Sequence, residues 1–247
     1  MKIYYIGAST CILDIDNKIK IGIDPAISPI NHKINFKSFE SIRTKAPKYQ
    51  ASVFENIDVW LITHSHEDHV DSLGKEKTIG SKIICDIKSA SLIFADRKTI
   101  TLKWKQEYKF IKEGYSVTFT AIPAYHGNSV LTRTLTGKVN GYLVKVDNGI
   151  CIQTIYFTGD TVYHKKILQY LPQNINVLIA NLGNVKSNLF GGPLTMNLSM
   201  LKKILTYLQV DKVIPIHIDD YSHYETSISE VKSAGLEILP LGKWIDL

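Results

Sequence analysis

His64, Ser65, His66, Glu67, Asp68 and His69 set three imidazoles and an aspartate within one turn of chain, directly after the apolar run Val59, Trp60, Leu61, Ile62, Thr63. A short apolar run bounded by polar residues reads as a buried strand, so the cluster stands where that strand ends. His64 and His66 project to the same side of an extended segment because side chains alternate along it. Asp68 and His69 follow once the backbone has begun to turn, and reach the same point from another direction. Imidazole nitrogens and a carboxylate that meet at one point suit zinc and other divalent transition metals. The ordinary alternative is a solvated loop that happens to be rich in histidine. With 8 His in 247 residues, three of them inside this one turn speak against it.

Other chemically capable residues stand in the same kind of place. Asp24 follows the alternating run 19–23 and precedes Pro25, which turns the chain out of a sheet. His126 comes just past a strand over 116–122, Asp160 just past one over 150–157, and His217 directly after one over 212–216. Each alone has a structural explanation: a turn residue for His126, a helix cap for Asp160, a satisfied core histidine for His217. Their recurrence at strand ends is how open sheets build one site from distant parts of a chain.

The elements that must carry these residues are short. Strands are predicted over 2–6, 11–15 and 19–23 as a meander, then 59–63, 82–85 and 99–102, with a short helical stretch after the histidine cluster and a helix over 88–95. Residues 26–56 break the pattern with two prolines and few apolar pairs. A connection of that length is usually functional or mobile, and it is expected to form part of the rim of a site. Hairpins follow at 108–111 with 116–122 and at 141–146 with 150–157. The last third alternates: strand 176–180, a helix capped by Thr195 and running through Leu208, strand 212–216, a helix over 225–234 closed by Gly235, and a final strand over 236–239. A strand-rich stretch followed by an alternating one thus occurs twice.

Composition is that of an ordinary globular protein, 45% hydrophobic and 21% charged. No run approaches the roughly 20 apolar residues that span a bilayer, and the first residues lack a signal-peptide pattern, so a cytoplasmic protein is expected. Cys11, Cys85 and Cys151 form no C-x-x-C pair and are expected as buried, reduced thiols. The formal charge of +6 comes from dispersed lysines, in keeping with solvated surface more than with a nucleic-acid footprint. Neither nucleic acid nor a membrane is expected as a partner, and no leftover amphipathic stretch specifies an oligomer.

His64-x-His66-x-Asp68-His69, with Asp24 before it and His126, Gly159-Asp160 and His217 after it, resembles the five-motif signature of the metallo-β-lactamase superfamily. The likeness runs from about residue 23 to 217. Pro123 to His126, Phe157 to Thr161, and Ile214, Pro215, Ile216, His217 with Ser222 and His223 are similar, more weakly, to the general metal-dependent hydrolase branch that includes the ascorbate phosphate lactonase. The resemblance implies one α/β domain over 1–247, a four-layer αβ/βα sandwich of two mixed sheets flanked by helices. It also implies two divalent metal ions, zinc first, with manganese, iron or nickel as substitutes. Carried onto this chain, His64, His66 and His126 would hold one metal, Asp68, His69 and His217 the other, and Asp160 would bridge them. Asp24 would hydrogen-bond a ligand and fix its orientation.

The chemistry follows from general principles. A divalent ion lowers the pKa of its bound water from about 15.7 towards about 7, which makes hydroxide available at neutral pH. Asp68 beside it would orient the nucleophile and carry a proton. The expected reaction is hydrolysis of a lactone, ester or phosphoester-type bond in a small anionic molecule. A phosphodiesterase or nuclease is the alternative enzyme, and a non-catalytic metal-dependent binding module the alternative of another kind. Arg133, in the loop after His126, could pair with a phosphate or carboxylate of the substrate, and His223 together with its flanking Tyr221 and Tyr224 could line the mouth of the site.

Overall fold

A computed structural model describes residues 1–36, 39–129, 139–186 and 192–247. The chain opens on a meander of β1 (Lys2–Gly7), β2 (Thr10–Ile15) and β3 (Ile19–Ile23), each antiparallel to the one before. A small separate hairpin follows, β4 (Lys33–Asn35) with β5 (Glu40–Ile42). Next come β6 (Val59–Leu61), α1 (Ser72–Lys77), β7 (Lys82–Cys85), α2 (Ile87–Leu92) and β8 (Ile100–Thr101), whose strands join β3 in parallel. The second sheet repeats the plan. Strands β9 (Glu107–Lys112), β10 (Tyr115–Ala124), β11 (Val139–Asp147) and β12 (Ile152–Phe157) run antiparallel. Then β13 (Asn174–Asn181), α3 (Leu198–Leu205) and β14 (Gln209–Ile216) add parallel strands. Helix α4 (Ile228–Ser233) and β15 (Trp244–Asp246) end the chain, β15 lying antiparallel to β1. The doubled pattern in the sequence is this doubled sheet.

Ile3, Leu13, Ile21 and Leu61 of the first sheet pack against Phe119, Val144, Ile155 and Ile179 of the second to form the central core. The outer face of the first sheet, with Tyr4, Ile12, Trp60 and Ile83, is covered by Val53, Ala90, Ile93 and Phe94. The outer face of the second, with Ile122, Tyr156 and Leu178, is covered by Leu201, Ile204 and Val231 of α3 and α4. These are four layers, helix, sheet, sheet, helix, as expected. Burying each of these large apolar side chains contributes about 1.5–3 kcal/mol, so the sandwich is held chiefly by its two sheet faces. Gly22 is required by packing: a Cβ there would lie 2.4 Å from the ring of Trp60, its partner on the neighbouring strand. Among the described residues no helix is long and apolar enough to cross a membrane.

Four local expectations are corrected. Helix α3 is capped by Asn197, whose side chain accepts from the Met200 N–H at 3.0 Å, and not by Thr195. Thr195 is buried and its hydroxyl instead accepts the Val185 N–H at 2.8 Å. Residues 236–239 form no strand; they are apolar because Leu239 enters the central core while Leu236 and Ile238 pack on the helical layer, and the edge of β1 is taken by β15. The final helix starts at Ser227, where a capping box with Glu230 closes its first turn, later than residue 225. Cys11 and Cys85 are buried, but Cys151 is exposed, because it stands in the turn where Asn148 Oδ1 accepts its N–H.

Candidate metal centre

Strand exits with unusual backbone deliver the polar residues. Asp24, directly after β3, adopts φ +42°, and His217, directly after β14, adopts φ +63°. Both lie in the left-handed region that costs a non-glycine residue of order 1–3 kcal/mol, so the surroundings must enforce it. Thr10 does so for Asp24: its hydroxyl donates to the Asp24 carbonyl at 2.6 Å and accepts the Ala26 N–H at 2.9 Å. The His217 N–H is held by the carbonyl of Ala8 at 2.9 Å. The two sheets meet at this edge. Asn140 N–H donates to the Thr63 carbonyl at 3.0 Å, and Gly159, at φ +57°, lets the chain after β12 approach; a Cβ there would be 2.8 Å from the Asn140 carbonyl.

Beneath the centre lies a relay of hydrogen bonds from Asp24. Its Oδ1 accepts the Thr63 N–H at 2.7 Å, and its Oδ2 accepts the Thr63 hydroxyl at 2.7 Å and His69 Nδ1–H at 2.8 Å. Having given its proton to Asp24, the Thr63 hydroxyl can only accept from His64 Nδ1–H at 3.1 Å. The tautomers follow from these partners: His64 keeps its Nε2 lone pair, and His69 turns its Nε2 into the site. His126 is set in the same way, since its Nδ1–H donates to the Leu194 carbonyl at 2.9 Å.

The other ring nitrogens converge. His66 Nδ1 lies 2.9 Å from His64 Nε2 and 3.3 Å from His126 Nε2. A single shared proton can satisfy only one of these contacts, so three lone pairs at this spacing fit a cation. Burial pushes His66 down to about 3, with His126 adding to the effect, and burial likewise drives His64 well below the usual imidazole range. Neutral imidazole is the form that binds a metal, so no proton competes for these rings near pH 7.

A second group adjoins the first. His69 Nε2 and His217 Nε2 are 3.1 Å apart, and Asp160 Oδ1 lies 3.3 Å from the former and 3.6 Å from the latter. Asp68 Oδ2 is 3.5 Å from His217 Nε2. Asp160 reaches both groups, since its Oδ2 is 3.9 Å from His126 Nε2, and Asn181 Nδ2 donates to its Oδ1 at 3.1 Å. Within each group, His64, His66 and His126 or Asp68, His69, Asp160 and His217, one ligand atom per residue falls within 4.8 Å of the others. Burial would raise the Asp160 carboxyl, but His217 and His69 outweigh it and hold the group well below the ordinary range. Burial also opposes charge on His69, yet Asp160 and Asp24 raise it well above the usual imidazole value.

Asp68 is held from one side only. Its Oδ2 accepts the Tyr224 hydroxyl at 3.0 Å and lies 3.3 Å from His223 Nε2, while its buried Oδ1 has no partner among the described residues. His217 Nδ1 is likewise buried without one. The Tyr224 ring stacks on His217 at 3.9 Å. Tyr221 and Tyr224 are thus buried behind the site and do not line its mouth, which corrects that expectation, and His223 stands against Asp68 with its Nδ1 2.5 Å from Ser41 Oγ. Arg133 lies outside the described residues. No helix begins near Asp160 for it to cap; the next turn is the 3-10 segment Ile167–Tyr170. Thr63, Asn181 and the Asp68-binding role of Tyr224 were missed in the sequence, although Asn181 ends β13 and so carried the same strand-end signal as the others.

The arrangement has relatives. A metal-dependent hydrolase of the UPF0173 group from Pyrococcus horikoshii is 28% identical over 185 residues, covering 72% of this chain and 74% of that protein. Among solved structures, an isothiocyanate hydrolase from Delia radicum gut bacteria superposes with a TM-score of 0.78 at 22% identity, covering 100% of this chain and 99% of that one. A "possible metal-dependent hydrolase" from Veillonella parvula gives 0.81 at 19% identity, over 100% and 99% of the two chains. The family model described as the beta-lactamase superfamily domain matches residues 20–218. That match runs from β3 to just past β14 and takes in every strand end that feeds the site, and the chain therefore belongs to the β-lactamase superfamily.

Proposed function

We propose that the chain is a hydrolase with two divalent metal ions, one held by His64, His66 and His126, the other by Asp68, His69 and His217, with Asp160 between them. The observation that carries this reading is the convergence of the two groups of imidazoles and carboxylates at one sheet edge, together with the buried Asp68 Oδ1 that has no partner among the described residues. Zinc suits such a mixed imidazole and carboxylate set, and manganese, iron or nickel would be accepted in its place. Ions bound by these residues would supply acidified water and polarise the bond to be cleaved.

The chain's own residues supply the rest. Asp24 and Thr63 fix the rings of His69 and His64, and Asn181 fixes Asp160. Tyr224 and His223 restrain one oxygen of Asp68 and leave the other to orient the nucleophile and take its proton. Burial pushes up and His217 and His223 pull down the Asp68 carboxyl, with the net result well below the ordinary range, so it starts as an acceptor at neutral pH. The substrate is a small molecule with a lactone, ester or phosphoester-type bond, and the formal charge of +6 favours an anionic one. The shared fold with an isothiocyanate hydrolase adds isothiocyanates, whose central carbon is open to the same attack, to the panel.

The test is metal analysis of protein purified without chelator, followed by turnover of lactones, esters, isothiocyanates, bis-p-nitrophenyl phosphate and short oligonucleotides. Bound metal with turnover confined to small molecules is expected, and chelation should abolish it. Selective cleavage of oligonucleotides would reassign the enzyme as a nuclease, and protein free of divalent metal would defeat the reading. The Asp24 contact makes its own prediction. Asp24→Ala should weaken metal binding about 10–100-fold, as loss of a ligand's supporting hydrogen bond generally does, read by competition with a chromogenic chelator.

A further inference from the structure

The hairpin β4–β5, in the segment the sequence leaves without a pattern, lays two phenylalanines beside the centre. Phe36 N–H donates to the Phe39 carbonyl at 3.0 Å, so the two residues face each other near the hairpin tip. Their rings stack at 4.8 Å with 25° between planes. Phe36 meets the His66 ring edge-on at 5.6 Å and the His223 ring at 5.0 Å, and Phe39 meets His223 at 5.6 Å. Both phenylalanines are half-buried.

The hairpin is tied to the site at several points. Ser41 Oγ contacts His223 Nδ1, Ile42 N–H donates to Ser222 Oγ at 3.0 Å, and His32 Nε2 pairs with Glu67 of the histidine cluster at 2.7 Å. Buried Arg43 donates to the Ala26 carbonyl at 2.9 Å and lies over the Tyr221 ring. Phe36 also packs against the buried cluster of Ile34, Tyr221 and Tyr224, which ties the pair to the core. From there the two half-buried rings form an apolar wall against His66 and His223 of the centre.

We propose that this wall is the specificity element of the hydrolase, and that the substrate carries an aromatic or bulky aliphatic group adjoining the bond that is cleaved. The assignment rests on the hydrolase reading, because the wall is useful only beside a reacting centre. Aromatic faces of this kind orient a ligand by burying its apolar portion while a few polar groups hold the rest.

The test reads binding, so it stands whether or not a turnover substrate is in hand. Metal-loaded protein is titrated with acetate, phenylacetate and cyclohexylacetate, which share a carboxylate and differ only in the apolar group. Phenylacetate and cyclohexylacetate should bind about 10–30-fold more tightly than acetate, the scale set by part-burial of one ring. In Phe36→Ala/Phe39→Ala that preference should fall to within about 3-fold, with the affinity for acetate and the metal content unchanged. Should the double variant fail to fold, Phe39→Ser alone should lower the preference by roughly half of its logarithm, and Phe36→Leu/Phe39→Leu should retain it for cyclohexylacetate. Equal binding of all three acids by the parent protein, or a preference that survives loss of both rings, would overturn the assignment. Failure of the hydrolase reading would appear separately, as absent turnover by the metal-loaded protein with the preference intact.

Discussion

Asp68→Asn should lower kcat by about 10²–10⁴-fold, the range for loss of a positioned acid–base group, while the protein remains folded. The carboxylate is buried, and its Oδ2 is occupied by Tyr224 and His223. Its Oδ1, buried without a partner among the described residues, is the oxygen left to meet a nucleophile or ion. Asparagine keeps the size and the acceptor for Tyr224, but it carries no charge and cannot take a proton. Metal content measured beside kcat separates the two roles assigned to Asp68. Loss of one ion with proportional loss of rate would make it chiefly a ligand, and loss of rate at full occupancy would make it chiefly a proton carrier. An unchanged kcat would remove it from the chemistry.

Trp60→Ala should destabilise the fold by about 3–5 kcal/mol, the usual cost of emptying a large buried aromatic site. Trp60 is fully buried among Tyr4, Ile6, Ile12, Ile62 and Val70, and its ring covers Gly22 so closely that neither strand can fill the space by adding a methyl group. The effect reaches the centre, because β3 and β6 end in Asp24 and in Thr63 with His64. Urea unfolding of the metal-free protein gives the stability change directly. Metal affinity measured on the same variant should fall as well, since the cavity loosens the two strands whose exits set the rings. A change below about 1 kcal/mol would show that the neighbouring side chains collapse into the gap.

Much of the fold was legible because its strands are short apolar runs closed by turn residues. The meander of β1 to β3, the strand β7, both hairpins and the doubling of the sheet plan follow from that punctuation. The residues gathered at the centre were legible for a related reason: polar side chains directly after apolar strands have no part in the core. What escaped was whatever depends on a partner distant in sequence. Thr63 is unremarked until Asp24 and two histidines surround its hydroxyl, and Tyr224 resembles any surface-loop tyrosine until it stacks on His217. Residues 236–239 misled because burial and strand pairing leave the same apolar signature in so short a run. Thr195 misled because either of two neighbouring polar residues can cap a helix, and only the backbone angles of Asn197 decide between them.

The left-handed backbone at Asp24 and His217 bears on how the protein would evolve. Asparagine and glycine tolerate that conformation better than aspartate or histidine. Selection for heat resistance alone should therefore favour Asn or Gly at these two strand exits, relieving strain and disarming the centre in the same step. Robustness and turnover are set against each other at two peptide units, and the family's hydrolytic capacity persists only while selection acts on the reaction itself.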